Sequence, residues 1–456
     1  MVRFRSKERL PRMERNLTTG SVFKNLVVFS LPYLLSFCLQ TLYGMADLFI
    51  IGQYEGVAAT TAVSVGSQVM HLLTVMIVGL AMGATVSIGQ AVGAGDRRRA
   101  ALDVGNTVTL FMALSLVLTA ALVLLVRPIV SVMSTPQEAV EGAVRYLTIC
   151  FIGIPFITAY NILSSIFRGM GDSKSPMYFI AVACAANIAL DYLFMGALRL
   201  GPAGAALGTT LSQAVSVLVS LAAIRKRHSL ALQKSDLKPR RDVLGKILAI
   251  GVPVALQDGF IQISFILITV IANRRGLTDA AAVGIVEKII GFMFLIPSSM
   301  LSSVSALGAQ NIGAGRRDRA VLTLRYAIAL VSAIGLTLGV LIQFIADPLV
   351  GLFTPDSAVV HAGGQYLRGY IWDSFFAGIH FSFSGYFCAC GKSGLSFLHN
   401  VIAIVLVRIP GALFTSTHFP TTLLPMGLAT AAGSLVSVLV CVIAYAILRR
   451  KEAKTT

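Results

Sequence analysis

The sequence predicts an all-α membrane protein: twelve transmembrane helices in two six-helix lobes, related by pseudo-two-fold symmetry along the membrane normal. Three observations carry this reading. First, 56% of the 456 residues are hydrophobic and only 12% are charged. The mean hydropathy is +0.81, and a water-soluble domain of this length needs more charge. Second, apolar runs of about 20 residues, the length that crosses a bilayer core, recur from end to end. They are continuous, unlike the short alternating segments of a membrane β-barrel. Third, the chain repeats itself: GQAVGAGDRRRA at Gly89–Ala100 returns as AQNIGAGRRDRA at Ala309–Ala320. Pro32 returns with Pro253, Pro128 with Pro348, Tyr146 with Tyr366 and Gly171 with Gly391. So long a period signifies two copies of one folding unit, as in transporters built from two halves.

The spans start near residues 25, 58, 101, 140, 175, 203, 245, 280, 320, 360, 394 and 424. They divide the chain into an arm (1–24), a first lobe (25–224), a connector (225–241), a second lobe (242–448) and a tail (449–456). An even number of spans per lobe returns the chain to its starting side. The two copies therefore insert in the same orientation, as parallel rather than inverted repeats. The connector, RKRHSLALQKSDLKPRR, is the long polar stretch between them.

Net charge is +17, which in a soluble protein would point to nucleic acid. Here the basic residues crowd the arm, Arg97–Arg99, the connector, Arg316/Arg317/Arg319 and the tail. Alternating spans place all of these on one side, opposite Arg127, Arg199 and Arg274–Arg275. That asymmetry puts both termini in the cytoplasm and leaves no call for a nucleic-acid partner. The first apolar run is long and lacks a small-residue cleavage site, so it is expected to stay as the first span. The six cysteines fall in or beside apolar runs, with Cys388 and Cys390 the close pair. They read as reduced packing residues rather than metal ligands.

An ionisable side chain at mid-bilayer costs about 2.5–3.5 kcal/mol on insertion scales, so each one is a functional candidate. Asp47 sits toward the outer end of span one and Asp191 in span five, with Asn187 one helical turn before it on the same face. Either aspartate also reads as a helix-end group wetted from outside. If the two approach, their mutual repulsion favours uptake of a proton or another cation. Pro32 lies mid-span one, where it removes a backbone hydrogen bond and permits a hinge.

In the second lobe Asp258, Glu287 and Lys288 are further intramembrane charges. Glu287 and Lys288 are adjacent and project in different directions, so cavity groups and structural ion pairs are equally open readings. Arg408 reads as a structural charge, and His71, His380 and His399 as packed or surface residues. The paired GAG-plus-arginine loops read as helix ends and topology signals, with gating as the sharper alternative.

The segments SLPYLLS, QTLYGMADLFIIG, GQAVGAG, FRGMGDSKSPM, NIALDYLF and GPAGAALGTTLSQ resemble the multidrug and toxic compound extrusion (MATE) family. The resemblance runs from Leu26 to about Leu448 and is more specific in the first half. It implies twelve helices around a V-shaped cavity and cation-coupled efflux of drugs. From the proton-coupled branch it implies coupling roles for Asp47, Asp191 and Asn187, with Asn161 and Thr209 in the same network and Pro32 as the bending proline. From the sodium-coupled branch it implies a second-lobe site at the positions of Gln262 and Asp373. Gln262 is neutral where that branch has a glutamate, which favours a first-lobe site.

Enzymatic readings find no support. The chain has no GxxxxGK[ST], HExxH or GxSxG motif, so no nucleotide hydrolysis within it drives transport. The expected function is a proton- or sodium-coupled antiporter of amphipathic, often cationic organic compounds. It is expected to act as a monomer in the cytoplasmic membrane, in contact with lipid and without a cofactor beyond the coupling ion. A flippase for lipid-linked precursors or a polysaccharide exporter of the related superfamily is the alternative. A non-transporting sensor or scaffold is a third reading, and it lacks any appended signalling domain.

Overall fold

The computed structural model describes residues 16–227 and 233–453. The basic arm at 1–15, residues 228–232 of the connector and the last residues of the tail, 454–456, lie outside the described residues. What is described is helical, without strands. The first lobe comprises α1 (Val22–Tyr54), α2 (Val57–Gly93), α3 (Arg97–Leu124), the short α4 (Val126–Val132), α5 (Val140–Ile152), α6 (Ile154–Gly169), α7 (Lys174–Asp191) and α8 (Gly201–Arg227). The second comprises α9 (Arg241–Asn273), α10 (Leu277–Met293), α11 (Leu295–Gly313), α12 (Arg317–Gly351), α13 (Ser357–Ala389), α14 (Gly394–Ala403), α15 (Ile409–His418) and α16 (Leu424–Ala453).

Among the described residues ten helical segments are long and apolar enough to cross a membrane, and an eleventh is bent. The bent one pairs Gln137–Ile152 with Ile154–Gly169 at 49°. Its break falls at Gly153, where a Cβ would meet the Thr210 side chain at 2.5 Å. Helix α13 stands at the remaining position. It has 33 residues but is too polar to qualify, because the core of the lobe encloses most of it. Asp373, His380, Ser382 and Ser384 are all buried there, so composition understates its role as a span.

Local chemistry explains the boundaries. Ser21 caps α1 by accepting from the Lys24 N–H, Asp96 caps α3 through Arg99, and Asp356 caps α13 through Ala358 and Val359. Inside α1, Pro32 withholds its N–H, and the Ser36 hydroxyl donates to the Pro32 carbonyl at 2.9 Å. Gly95 and Gly315 take φ +72 to +73°, a left-handed conformation that ends the helix before each arginine loop. One helix of each lobe contains a π-helical turn, Tyr192–Ala197 after α7 and Ile404–Arg408 after α14. Such turns mark sites where a side chain is re-aimed.

The repeated motifs meet each other. At the end of the bundle that carries the arginine loops, the last turns of α2 and α11 cross so closely that no side chain fits between them. A Cβ on Gly93 would lie 1.9 Å from the Gln310 carbonyl oxygen, and one on Gly313 would lie 2.0 Å from that of Gln90. The side chains complete the symmetry. Gln90 Nε2 donates to the Ala389 carbonyl at 2.8 Å, and Gln310 Nε2 to the Gly169 carbonyl at 2.9 Å.

Each lobe is also held by the segment leading into the other lobe's first span. The Leu17 N–H donates to Gln310 Oε1 at 3.3 Å, and Arg316 and Arg319 donate to the carbonyls of Thr18 and Gly20. In mirror fashion the connector docks on α3. Buried Asp236 pairs with Arg98 at 2.6 Å, Asn106 bonds the Asp236 carbonyl and the Arg240 N–H, and Arg99 pairs with Asp242 at 2.8 Å. Apolar packing follows the same crossed pattern: Leu26, Phe29 and Tyr33 of α1 pack with Val304 and Leu307, while Val243 and Ile247 of α9 pack with Ala81 and Phe111. The GAG loops are therefore helix ends, as expected, and also the seam between the lobes.

The glycine seam is directly testable. Gly93→Ala or Gly313→Ala is expected to force α2 and α11 apart and to destabilise the purified protein by about 1–3 kcal/mol, as overpacking does. The two losses of Tm should be similar, because the two sites are related by symmetry. An unchanged Tm in both variants would refute the close contact.

Candidate functional site

Within the first lobe, α1, α7 and α8 bring four of the sequence-predicted residues together. Asp47, toward the outer end of α1, is 3% exposed, while Asp191 and Asn187 on α7 are fully buried. The Asp47 carboxyl lies beside Asp191 and Asn187. From α8, the Thr209 hydroxyl donates to Asp47 Oδ2 at 3.1 Å. Asp191 closes α7, and the π turn that follows begins at the next residue.

The cluster is short of donors. Asp47 Oδ1, both Asp191 oxygens and both polar atoms of Asn187 have no hydrogen-bond partner. Two like charges about 4 Å apart repel by about 4 kcal/mol at the effective dielectric of a protein. The pair is therefore stable only with a positive charge between its members. A shared proton would turn the contact into a carboxyl–carboxyl hydrogen bond. Carboxylate, amide and hydroxyl oxygens are also the ligand types that suit a hard cation.

Sequence reasoning missed two members. Gly208 on α8 faces Asp191 so closely that a Cβ there would lie 2.0 Å from Asp191 Oδ1. Tyr43, one helical turn before Asp47 on α1, lies within hydrogen-bond reach of Thr209. The Tyr–x–x–x–Asp spacing was a usable signal for Tyr43; a lone glycine in a glycine-rich helix offered none for Gly208. Outside the cluster, Arg168 at the end of α6 stacks its guanidinium 3.9 Å from the Tyr33 ring centre, next to Pro32.

Asn161 is not part of this contact network. It is buried, but its amide donates to the Ile157 carbonyl of its own helix at 2.8 Å. Of the second-lobe candidates, Asp373 and Glu287 both lie within electrostatic reach of Arg408, and Asp258 packs elsewhere. Asp258 lies against α2, where a Cβ on Gly79 would sit 3.0 Å from its Oδ2. Gln262 is half-buried one turn further along α9. Glu287 accepts from the Thr269 hydroxyl at 2.9 and 3.1 Å, and Lys288 is exposed, so those neighbours do not pair. Asp373 is fully buried, 3.5 Å from Arg408. His380 and His399 are packed residues with ring centres 5.2 Å apart, whereas His71 is exposed. None of the six cysteines is in a disulfide; Cys38 and Cys390 are half-buried rather than buried.

Comparison with known proteins bears on the family and the fold. The MatE family model matches the chain twice, over residues 32–193 and 253–414. The probable multidrug resistance protein YpnP of Bacillus subtilis is 31% identical over 88% of this chain and 90% of its own length. YoeA of the same organism, also described as a probable multidrug resistance protein, is 29% identical over 90% of both chains. A multidrug resistance MATE transporter solved in an outward-facing conformation superposes with a TM-score of 0.90, at 23% identity, covering 98% of this chain and 100% of its own.

The charge balance of the pair has a measurable consequence. In Asp191→Asn an amide can donate to Asp47 where a second acid repels it. The purified variant is expected to be folded, with a Tm at or above that of the parent at neutral pH. A Tm several degrees lower would show that the two acids do not oppose one another.

Proposed function

Because this chain belongs to the MatE family of multidrug efflux transporters, we propose that it exports amphipathic, often cationic organic compounds in exchange for a cation that binds at Asp47 and Asp191. The paired, donor-starved carboxyls carry this reading. They hold a net negative charge in a low-dielectric setting, and that charge needs a positive ion to balance it. A proton is the simplest occupant, with sodium as the competing one.

The bending helix supplies the coupling. Asp47 is on the same helix as Pro32, about four turns away. A cation drawn between α1 and α7 changes the force on the outer half of α1, and Pro32 is where that helix yields most readily. Binding from outside would then reshape the first-lobe surface and release the solute. The crossed contacts of α2, α11 and the two lead-in segments would close the opposite side, which the basic loops place in the cytoplasm together with both termini. Access would alternate by rocking of the lobes about that seam. Two covalently joined lobes contain the whole cycle, so a monomer in the lipid bilayer suffices.

The energetics are adequate. One elementary charge moving through 100 mV yields about 2.3 kcal/mol. If one proton enters as one monovalent cationic compound leaves, the electrical terms cancel and the chemical gradient drives export. A flippase for a pyrophosphate-linked lipid would favour a cationic cavity. The first-lobe cluster is acidic instead, and buried Arg408 is already balanced by Asp373.

Dye efflux from proteoliposomes under an imposed pH gradient, and separately under a sodium gradient, tests the proposal. Asp47→Asn and Asp191→Asn are each expected to reduce gradient-driven efflux to the level of empty vesicles while the protein stays folded and inserted. Full efflux by either variant would defeat the site assignment. Efflux driven by the sodium gradient alone would assign sodium as the ion.

A further inference from the structure

The two lobes repeat each other in backbone but not in charge. In the first, the fifth span brings Asp191 to its π turn, and the groups around it are acids, amides and hydroxyls. In the second, the corresponding span carries Arg408 as the last residue of its π turn. In both lobes a glycine of the sixth span makes room for that charged side chain: Gly208 for Asp191, and Gly433, where a Cβ would lie 3.0 Å from Arg408 Cβ.

Arg408 is 5% exposed and points into a group of buried polar residues. Its Nη2 donates to the Tyr370 hydroxyl at 2.6 Å and lies 3.5 Å from Asp373 Oδ2. The guanidinium also sits 5.1 Å from the Phe265 ring centre. Neither Asp373 oxygen accepts a hydrogen bond, so the Arg408 charge is what balances this carboxylate. A sodium ion needs several oxygen ligands around it. Beside Asp373 stands the Arg408 guanidinium, which Glu287 also faces within electrostatic reach; Gln262 brings no charge, and Asp258 packs against α2.

We propose that Arg408 is a tethered cation that permanently fills the cation position of the second lobe, so that Asp373 binds no free sodium ion and the coupling ion enters only at the Asp47–Asp191 pair. The second clause rests on the coupling role given above to that pair; the first stands on the Arg408–Asp373 geometry alone. The protein would thus be asymmetric in use although duplicated in fold, with one lobe exchanging its cation and the other carrying a fixed one.

The experiment is a sodium titration of the full-length protein in nanodiscs, against N-methylglucamine at constant ionic strength. Tm and the emission of Trp372 are read; this single tryptophan is the neighbour of Asp373. The parent is expected to show no sodium-specific change that Asp373→Asn removes. Arg408→Leu is expected to gain a saturable, sodium-specific rise in Tm of a few degrees, because the carboxylate has lost its counter-ion. Arg408→Leu/Asp373→Asn is expected to lose that rise, and Arg408→Lys is expected never to show it. A sodium response in the parent that Asp373→Asn abolishes would overturn the proposal, even if Arg408→Leu fails to fold. So would a folded Arg408→Leu that ignores sodium. A parental response abolished by Asp47→Asn instead supports it, because that places sodium in the first lobe alone. Failure of the efflux tests on Asp47 and Asp191 would leave these binding results unaffected, so the two readings fall separately.

Discussion

The constraint on which this molecule turns is the confinement of two carboxyl groups where water cannot solvate them. Asp47 and Asp191 come from helices far apart in sequence and meet with one hydroxyl donor, Thr209, between them. In water such a pair would simply ionise and separate. Inside a helical lobe neither can leave, because α1 and α7 are fixed by their own packing and Gly208 seats Asp191 from behind. That unmet negative charge is the feature on which the proposed cation exchange rests.

The duplicated GAG segments join the two lobes. Their glycines let two helices touch backbone to backbone, and their glutamines tie each lobe to the other's helix ends. Contacts of this kind are short-range and steep, so they hold well when closed and are lost together when the helices part. The crossed lead-in segments add ion pairs, of which Arg98–Asp236 is the most buried on its acidic side. The two lobes also meet further along α2 and α9, where a Cβ on Gly83 would lie 2.0 Å from the Ile247 carbonyl oxygen.

The two lobes share a fold but differ in charge. Each has a π turn in its fifth span, after 18 residues of α7 in the first lobe and after 10 of α14 in the second. Among the described residues no basic side chain pairs with Asp47 or Asp191, whereas in the second lobe Arg408 stands beside Asp373.

Much of this was legible in the amino-acid sequence. Composition and run length determine a helical membrane protein, because a lipid core admits only elements that satisfy their own backbone. The internal repeat determines two like lobes, and an isolated acid in an apolar helix marks Asp47 and Asp191 as costly enough to need a reason. Sequence could not show that the lobe core, rather than lipid, surrounds the polar residues of α13, the span expected near residue 360. Nor could it separate Asn161, which bonds its own helix, from Asn187, which faces the acids. It marked Asp258, Gln262, Glu287 and Asp373 as possible cavity or second-lobe groups; in the folded chain Glu287 and Asp373 share the neighbourhood of Arg408, while Asp258 packs against α2. The sequence by itself determined which elements exist and which residues are expensive, because those follow from local spacing and from transfer free energy. Which expensive residues neutralise one another was decided only in three dimensions, because charge pairing depends on distances between helices that no spacing along the chain encodes.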